Sequence, residues 1–81
     1  MNPDIEIDAT GLLCPLPVLK LKKRMEKANY GAVIKILADD PAAVLDIPHF
    51  CKENNHILLN SNAVSSSQNE NPLREYYVKK Q

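Results

Sequence analysis

Cys14 is the residue whose type and surroundings point most directly to chemistry. It stands in Gly11-Leu12-Leu13-Cys14-Pro15-Leu16-Pro17, just ahead of a stretch with helical periodicity. A residue before proline is pushed toward extended backbone, so Cys14 is expected just outside the helix, near its N-cap. Pro15 suits the first helical turn, where a missing N–H costs nothing. The free N–H groups and macrodipole of a helix start favour an anion, and cysteines placed there have depressed pKa values. The sequence therefore predicts an acidic, presented thiol, a nucleophile whose direction is fixed by the stiff Pro15-Leu16-Pro17 start. The two prolines withhold two N–H groups, which weakens the dipole somewhat. The plainer alternative is a cysteine packed into a strand-to-helix turn.

The second cysteine carries the opposite expectation. Cys51 shares a helical face with Ile47 and Phe50 by spacing, and free cysteine is among the most buried residue types. Its chemical alternative is a resolving thiol for Cys14, which requires Cα atoms within about 7 Å. The two are not a Cys-x-x-Cys pair, which disfavours a thioredoxin-like dithiol. His49 and Cys51 are two apart and face different ways on a helix, and no two-plus-two ligand spacing exists. No metal site and no cofactor is expected. No Ser/His/Asp arrangement is visible, and with two glycines in the chain a Gly-rich phosphate loop is hardly feasible.

Charge is balanced overall and uneven locally. Ten basic and ten acidic residues give a formal net charge of zero, whereas a dedicated nucleic-acid binder usually carries basic excess. Lys20, Lys22, Lys23, Arg24 and Lys27 nevertheless crowd the stretch after Cys14 against Glu26 alone. A solvated face is the plain reading. The functional one is a docking surface for an acidic partner, with Lys20, Lys23 and Arg24 as the candidate contacts. Asp39, Asp40 and Asp46 are expected as helix caps, and Asp40 is also a candidate partner contact.

These residues need elements to hold them. Ile5 and Ile7 alternate with Asp4, Glu6 and Asp8, the period-2 pattern of a half-buried strand. Val18, Leu21, Met25 and Ala28 lie on one face of a helix that starts at Pro15 and ends before Gly31, its expected C-terminal cap. Val33 to Ala38 reads as a more buried, β-branched strand. Asp40 followed by Pro41 reads as the N-cap and first residue of the next helix. Pro48 should break or kink that helix, giving either a second helix from about Ile47 or one kinked helix that ends at Asn54-Asn55. A third strand starts at Ile57. A polar connection follows over 60–72, then a last strand over Leu73–Lys80. The order β-α-β-α-β-β, with a right-handed parallel first crossover, predicts a two-layer α/β sandwich. It has a mixed four-stranded sheet with both helices on one face. The charged alternates Glu6, Asp8 and Lys35 should lie on the other, open face.

Size sets the style of chemistry. A chain of 81 residues makes one small domain, here 1–81, with a thin core, so a large enclosed pocket is not expected and a reactive group should sit at the surface. Two cysteines are too few for the disulfide-dense strategy of small secreted domains. Met1-Asn2-Pro3-Asp4 is neither basic nor apolar, so no secretory signal is expected, and no apolar run reaches the roughly 18 residues of a membrane span. The expectation is a cytoplasmic monomer.

Gly11-Leu12-Leu13-Cys14-Pro15-Leu16-Pro17-Val18 resembles the Cys-Pro-x-Pro signature of the TusA/SirA-like sulfur-carrier family. Ala38-Asp39-Asp40-Pro41 followed by Asp46-Ile47-Pro48 resembles its second characteristic block. The likeness runs from about Asp8 to Leu59, with an echo in Tyr77-Val78-Lys79-Lys80. Asn55-His56 stands where the family often has Gly-His, and asparagine also tolerates a left-handed cap. The resemblance implies the same β-α-β-α-β-β sandwich. It also implies that Cys14 carries sulfur as a persulfide, loaded by a cysteine desulfurase and passed to a downstream relay protein, often toward 2-thiouridine in tRNA. Pro15, Pro17 and Gly11 would position the sulfur, and no stable direct nucleic-acid binding is implied. Two other readings compete: a thiol redox regulator pairing Cys14 with Cys51, and a small interaction or RNA-binding module using the basic helix.

Overall fold

The computed structural model describes residues 2–64 and 73–81. The alternation at the start of the chain forms strand β1 (Ile5–Asp8), and the 3.6-residue apolar spacing after the Pro15-Leu16-Pro17 turn forms helix α1 (Leu16–Lys27). Strand β2 (Val33–Ala38), helix α2 (Ala43–Glu53) and strands β3 (Ile57–Ala63) and β4 (Arg74–Lys79) follow. The sheet order is β1-β2-β4-β3. β1 runs parallel to β2, with Ile5 opposite Ile34 and Ile7 opposite Ile36. β4 runs antiparallel to both β2 and β3, so the sheet is mixed as the pattern predicts.

One face of this sheet meets both helices. Ile7, Ile34, Ile36, Ala38, Tyr76 and Val78 from the strands bury against Leu21 and Met25 of α1 and Ala43, Ile47, Phe50 and Cys51 of α2. Val18 and Ala28 pack at the edge of this core, completing the helix face read from the sequence. On the other face Lys35 lies 3.9 Å from Glu6 and 3.6 Å from Glu75, a small charged network across three strands.

The ends of the elements depart from the expectations. α1 begins at Leu16, not Pro15, and Pro15 occupies the N-cap without a side-chain cap. Its C-cap is Ala28 rather than the expected Gly31. The carbonyl of Ala28 accepts a hydrogen bond at 2.8 Å from the Lys80 ammonium. Gly31 instead supplies a positive φ of 85° in the following turn, where its N–H donates to the Lys80 carbonyl.

α2 begins at Ala43, with Ala42 as N-cap, so neither Asp40 nor Pro41 holds its expected place. The chain already winds before the helix, because the N–H groups of Ala43, Val44 and Leu45 each donate to the carbonyl three residues back. This tighter turn displaces the α-helical start. Pro48 neither breaks α2 nor splits it: one helix runs from Ala43 to Glu53 with Pro48 inside. The N–H that Pro48 lacks would have met the Val44 carbonyl, in the exposed first turn of the helix. Asn55 ends this region in the left-handed conformation, φ 59°. The first part of the polar 60–72 connection is strand through Ala63, and its remainder over 65–72 lies outside the described residues.

Candidate functional site

Cys14 ends the loop that joins β1 to α1, and that loop is tied down along its length. Thr10 donates to Asp8 Oδ1 from its N–H at 3.0 Å and its hydroxyl at 2.6 Å. Ala9 N–H donates to the Leu37 carbonyl. Gly11 turns with φ 80°, and its N–H donates to Asp39 Oδ1 at 3.0 Å. No atom crowds the place of a Cβ at Gly11, so the glycine is there for its backbone angle rather than for space. The Cys14–Pro15 peptide bond is cis, and Pro17 is buried in the first turn of α1. Cys14 itself is exposed.

The thiol is held by an acid rather than by the helix start. Cys14 Sγ donates a hydrogen bond to Asp46 Oδ2 at 2.9 Å, across to the first turn of α2. The Cys14 pKa is raised, first by this hydrogen bond, then by desolvation from neighbouring atoms, then by the negative charges of Asp46 and Asp40. The expected acidic thiol is thereby reversed. Pro15 and Pro17 have no N–H to offer, Leu16 N–H is taken by the Leu13 carbonyl and Leu19 N–H by that of Pro15. Little donor capacity is left to face the sulfur, while a carboxylate sits against it.

A groove of about 480 Å³ opens beside Cys14 between the two helices. Val18, Leu19 and Lys22 line its α1 wall; Asp46, His49, Phe50 and Glu53 line its α2 wall. His49 Nε2 lies 3.3 Å from Glu53 Oε1. The surroundings are apolar for a surface: Leu13 is 67% exposed and Leu45, next to Asp46, 76%. Leu16 and Leu19 are about half exposed.

The candidate docking residues fall in different places. Lys20 donates to the Asp8 carbonyl at 2.9 Å, tying α1 to the end of β1. Lys23 and Arg24 are exposed on α1 but lie outside the groove, since each residue turns the helix by about 100°. The basic side chain that shares the groove with Cys14 is Lys22. Asp40 is 8% exposed, so it lies inside rather than on a docking surface. Its Oδ1 accepts from Ala42 N–H at 3.2 Å, the hydrogen bond of the turn that precedes α2.

Cys51 is 3% exposed, and burial pushes its pKa up to about 11. Both cysteines are free thiols. Among the described residues no cluster of three potential metal ligands occurs. No helix among them is long and apolar enough to cross a membrane. The residue that sequence reasoning missed is Asp46 as the partner of Cys14. It reads only as a helix cap along the chain, and its pairing depends on two helix starts meeting at one end of the sheet.

A family model described as Sulfurtransferase TusA matches residues 5–71, a span that holds both Cys14 and Asp46. Among solved structures the chain is similar to the crystal structure of a SirA-like protein from Desulfitobacterium hafniense. The TM-score is 0.67 at 22% sequence identity, covering 95% of this chain and 99% of that one. At this identity the likeness bears on the fold.

Proposed function

The chain belongs to the TusA sulfurtransferase family, and from that premise we propose that it carries sulfane sulfur as a persulfide on Cys14. The donor is a cysteine desulfurase and the acceptor a downstream relay protein, with 2-thiouridine synthesis in tRNA as the destination. The observation that carries the reading is an exposed thiol on a loop fixed at both ends, beside an open groove. A carrier must present one atom to two different proteins. It therefore needs access and direction more than enclosure, and the domain offers both.

Loading is a thiol-exchange step: the Cys14 sulfur attacks the terminal sulfur of the donor's cysteine persulfide, and the donor's cysteine leaves as a thiolate. Leu13, exposed next to Cys14 in the chain, and Leu19, half exposed in the groove wall, suit transient burial against a partner. Lys22 adds one positive charge within the groove. Such a relay operates in the cytoplasm, where thiols stay reduced. The redox reading has less support, because the proposed resolving thiol is buried among Ile47 and Phe50. The experiment is mass spectrometry of the intact chain after incubation with a desulfurase and cysteine. The reading expects one added sulfur on the wild type and none on Cys14→Ser. An adduct retained by Cys14→Ser contradicts it.

A further inference from the structure

Resting on the sulfur-carrier reading, we propose that Asp46 is the proton-transfer residue of Cys14, accepting the thiol proton as sulfur arrives and returning it as sulfur leaves. The geometry meets the first requirement of a general base, a heavy-atom separation within hydrogen-bond reach: Sγ and Oδ2 are 2.9 Å apart. The chemistry creates the need. The thiolate is the nucleophile, yet the Cys14 thiol is held protonated by its acidic neighbour. A proton must therefore leave at the moment of attack, and Asp46 is already bonded to it. A thiol of high pKa is intrinsically the stronger nucleophile once its proton moves.

The charged groups around the sulfur leave this role to Asp46. Lys22 approaches from α1, and His49 and Glu53 line the α2 wall, where they pair with each other. Asp40 acts on the thiol through its charge, from inside the turn before α2. Among the described residues Asp46 alone is hydrogen-bonded to the sulfur.

The steps balance. In loading, Cys14–SH, Asp46–COO⁻ and the donor's R–S–SH give Cys14–S–SH, Asp46–COOH and R–S⁻. The bond between the donor's two sulfurs breaks and one to Cys14 forms. The Cys14 sulfur is oxidised as the donor's cysteine sulfur is reduced, so no external oxidant enters. In unloading, an acceptor thiolate takes the terminal sulfur and Asp46–COOH returns its proton to the departing Cys14 sulfur.

The test compares two reactions of the folded chain as wild type, Asp46→Asn and Asp46→Glu. Alkylation by iodoacetamide reads thiolate fraction and needs no donor; sulfur loading from a desulfurase reads the transfer. For Asp46→Asn the expected result is opposite movement: alkylation near neutral pH several-fold faster, and the loading kcat lower by on the order of a hundred-fold with KM for the donor little changed. Asp46→Glu, which keeps a carboxylate, should recover part of the loading. In the wild type alone, loading should slow in deuterated water. Loading and alkylation that change in the same direction, or an absent solvent isotope effect, overturn the role of Asp46. A wild type that gains no sulfur at all overturns the carrier reading instead, and the alkylation profile still reports on the Asp46 contact.

Discussion

Cys14 Sγ and Asp46 Oδ2 lie 2.9 Å apart although 32 residues separate them in the chain. The contact joins the loop before α1 to the first turn of α2, the two helices that cover one face of the sheet. It decides the chemical character of the site. An exposed thiol at a helix start is expected to ionise easily, whereas this one is kept protonated by a carboxylate. Such a thiol is protected from casual oxidation at rest, because reactivity follows the thiolate; in the transfer we propose, Asp46 takes its proton when a partner arrives.

The two cysteines should separate cleanly by reactivity and by energetic role. Cys51→Ser puts a hydroxyl with no evident partner into the core and should cost about 1–3 kcal/mol of stability, read by urea unfolding. Sulfur loading on Cys14 should be unchanged in the folded variant. Cys51, at about 11 and buried, should label with thiol reagents only on unfolding. Rapid labelling of both cysteines in the native state would contradict this assignment.

Acid stability should report the Asp8–Thr10 contact that anchors the Cys14 loop. The Asp8 pKa is lowered, first by the Thr10 hydroxyl and then by the Thr10 N–H. A carboxylate whose folded pKa is depressed stabilises the fold fully above its unfolded pKa, near 3.9. It loses that contribution as pH falls through the lower folded value. The stability difference between wild type and Thr10→Val should therefore be constant from neutral pH down to about pH 5 and close below about pH 3.9. Urea unfolding along a pH series measures it. A gap that widens with acid would show that Thr10 acts otherwise.

Lysine position should matter more than lysine number. Lys22 lines the groove beside Cys14, Lys20 is bonded to the Asp8 carbonyl, and Lys23 and Arg24 point elsewhere on α1. In transfer from a desulfurase, Lys22→Glu should slow loading more than Lys23→Glu, and raised salt should narrow the difference. Equal effects from both variants would mean that the whole basic helix, rather than the groove, meets the donor.

Much of the architecture is legible in the chain because it depends on local periodicity. Val18, Leu21, Met25 and Ala28 mark the buried face of α1, the Ile5–Ile7 alternation marks β1, and the β-branched run marks β2. Cys14 is legible as the candidate thiol from its place before a proline-rich helix start, and the structure leaves it exposed. What is not legible comes from contacts between distant segments. Lys80 caps the Ala28 carbonyl from 52 residues away, so Gly31 is free to serve the next turn. Asp40 is drawn inside by a tight turn that local capping rules read as the helix start. The rigid Pro48 stays within α2, where the helix's packing on the core outweighs one lost hydrogen bond. Asp46 reads as a cap until α2 is laid beside the Cys14 loop. The direction of the thiol pKa shift was therefore set by tertiary placement and not by the helix terminus.

The central claim is tested most directly by intact-mass measurement of the chain after reaction with a cysteine desulfurase and cysteine, followed by addition of a reductant. The account predicts a single added sulfur on the wild type, localised to Cys14, lost on reduction, and absent from Cys14→Ser while Cys51→Ala still acquires it. Sulfur found on Cys51, or an adduct that survives the loss of Cys14, would contradict it.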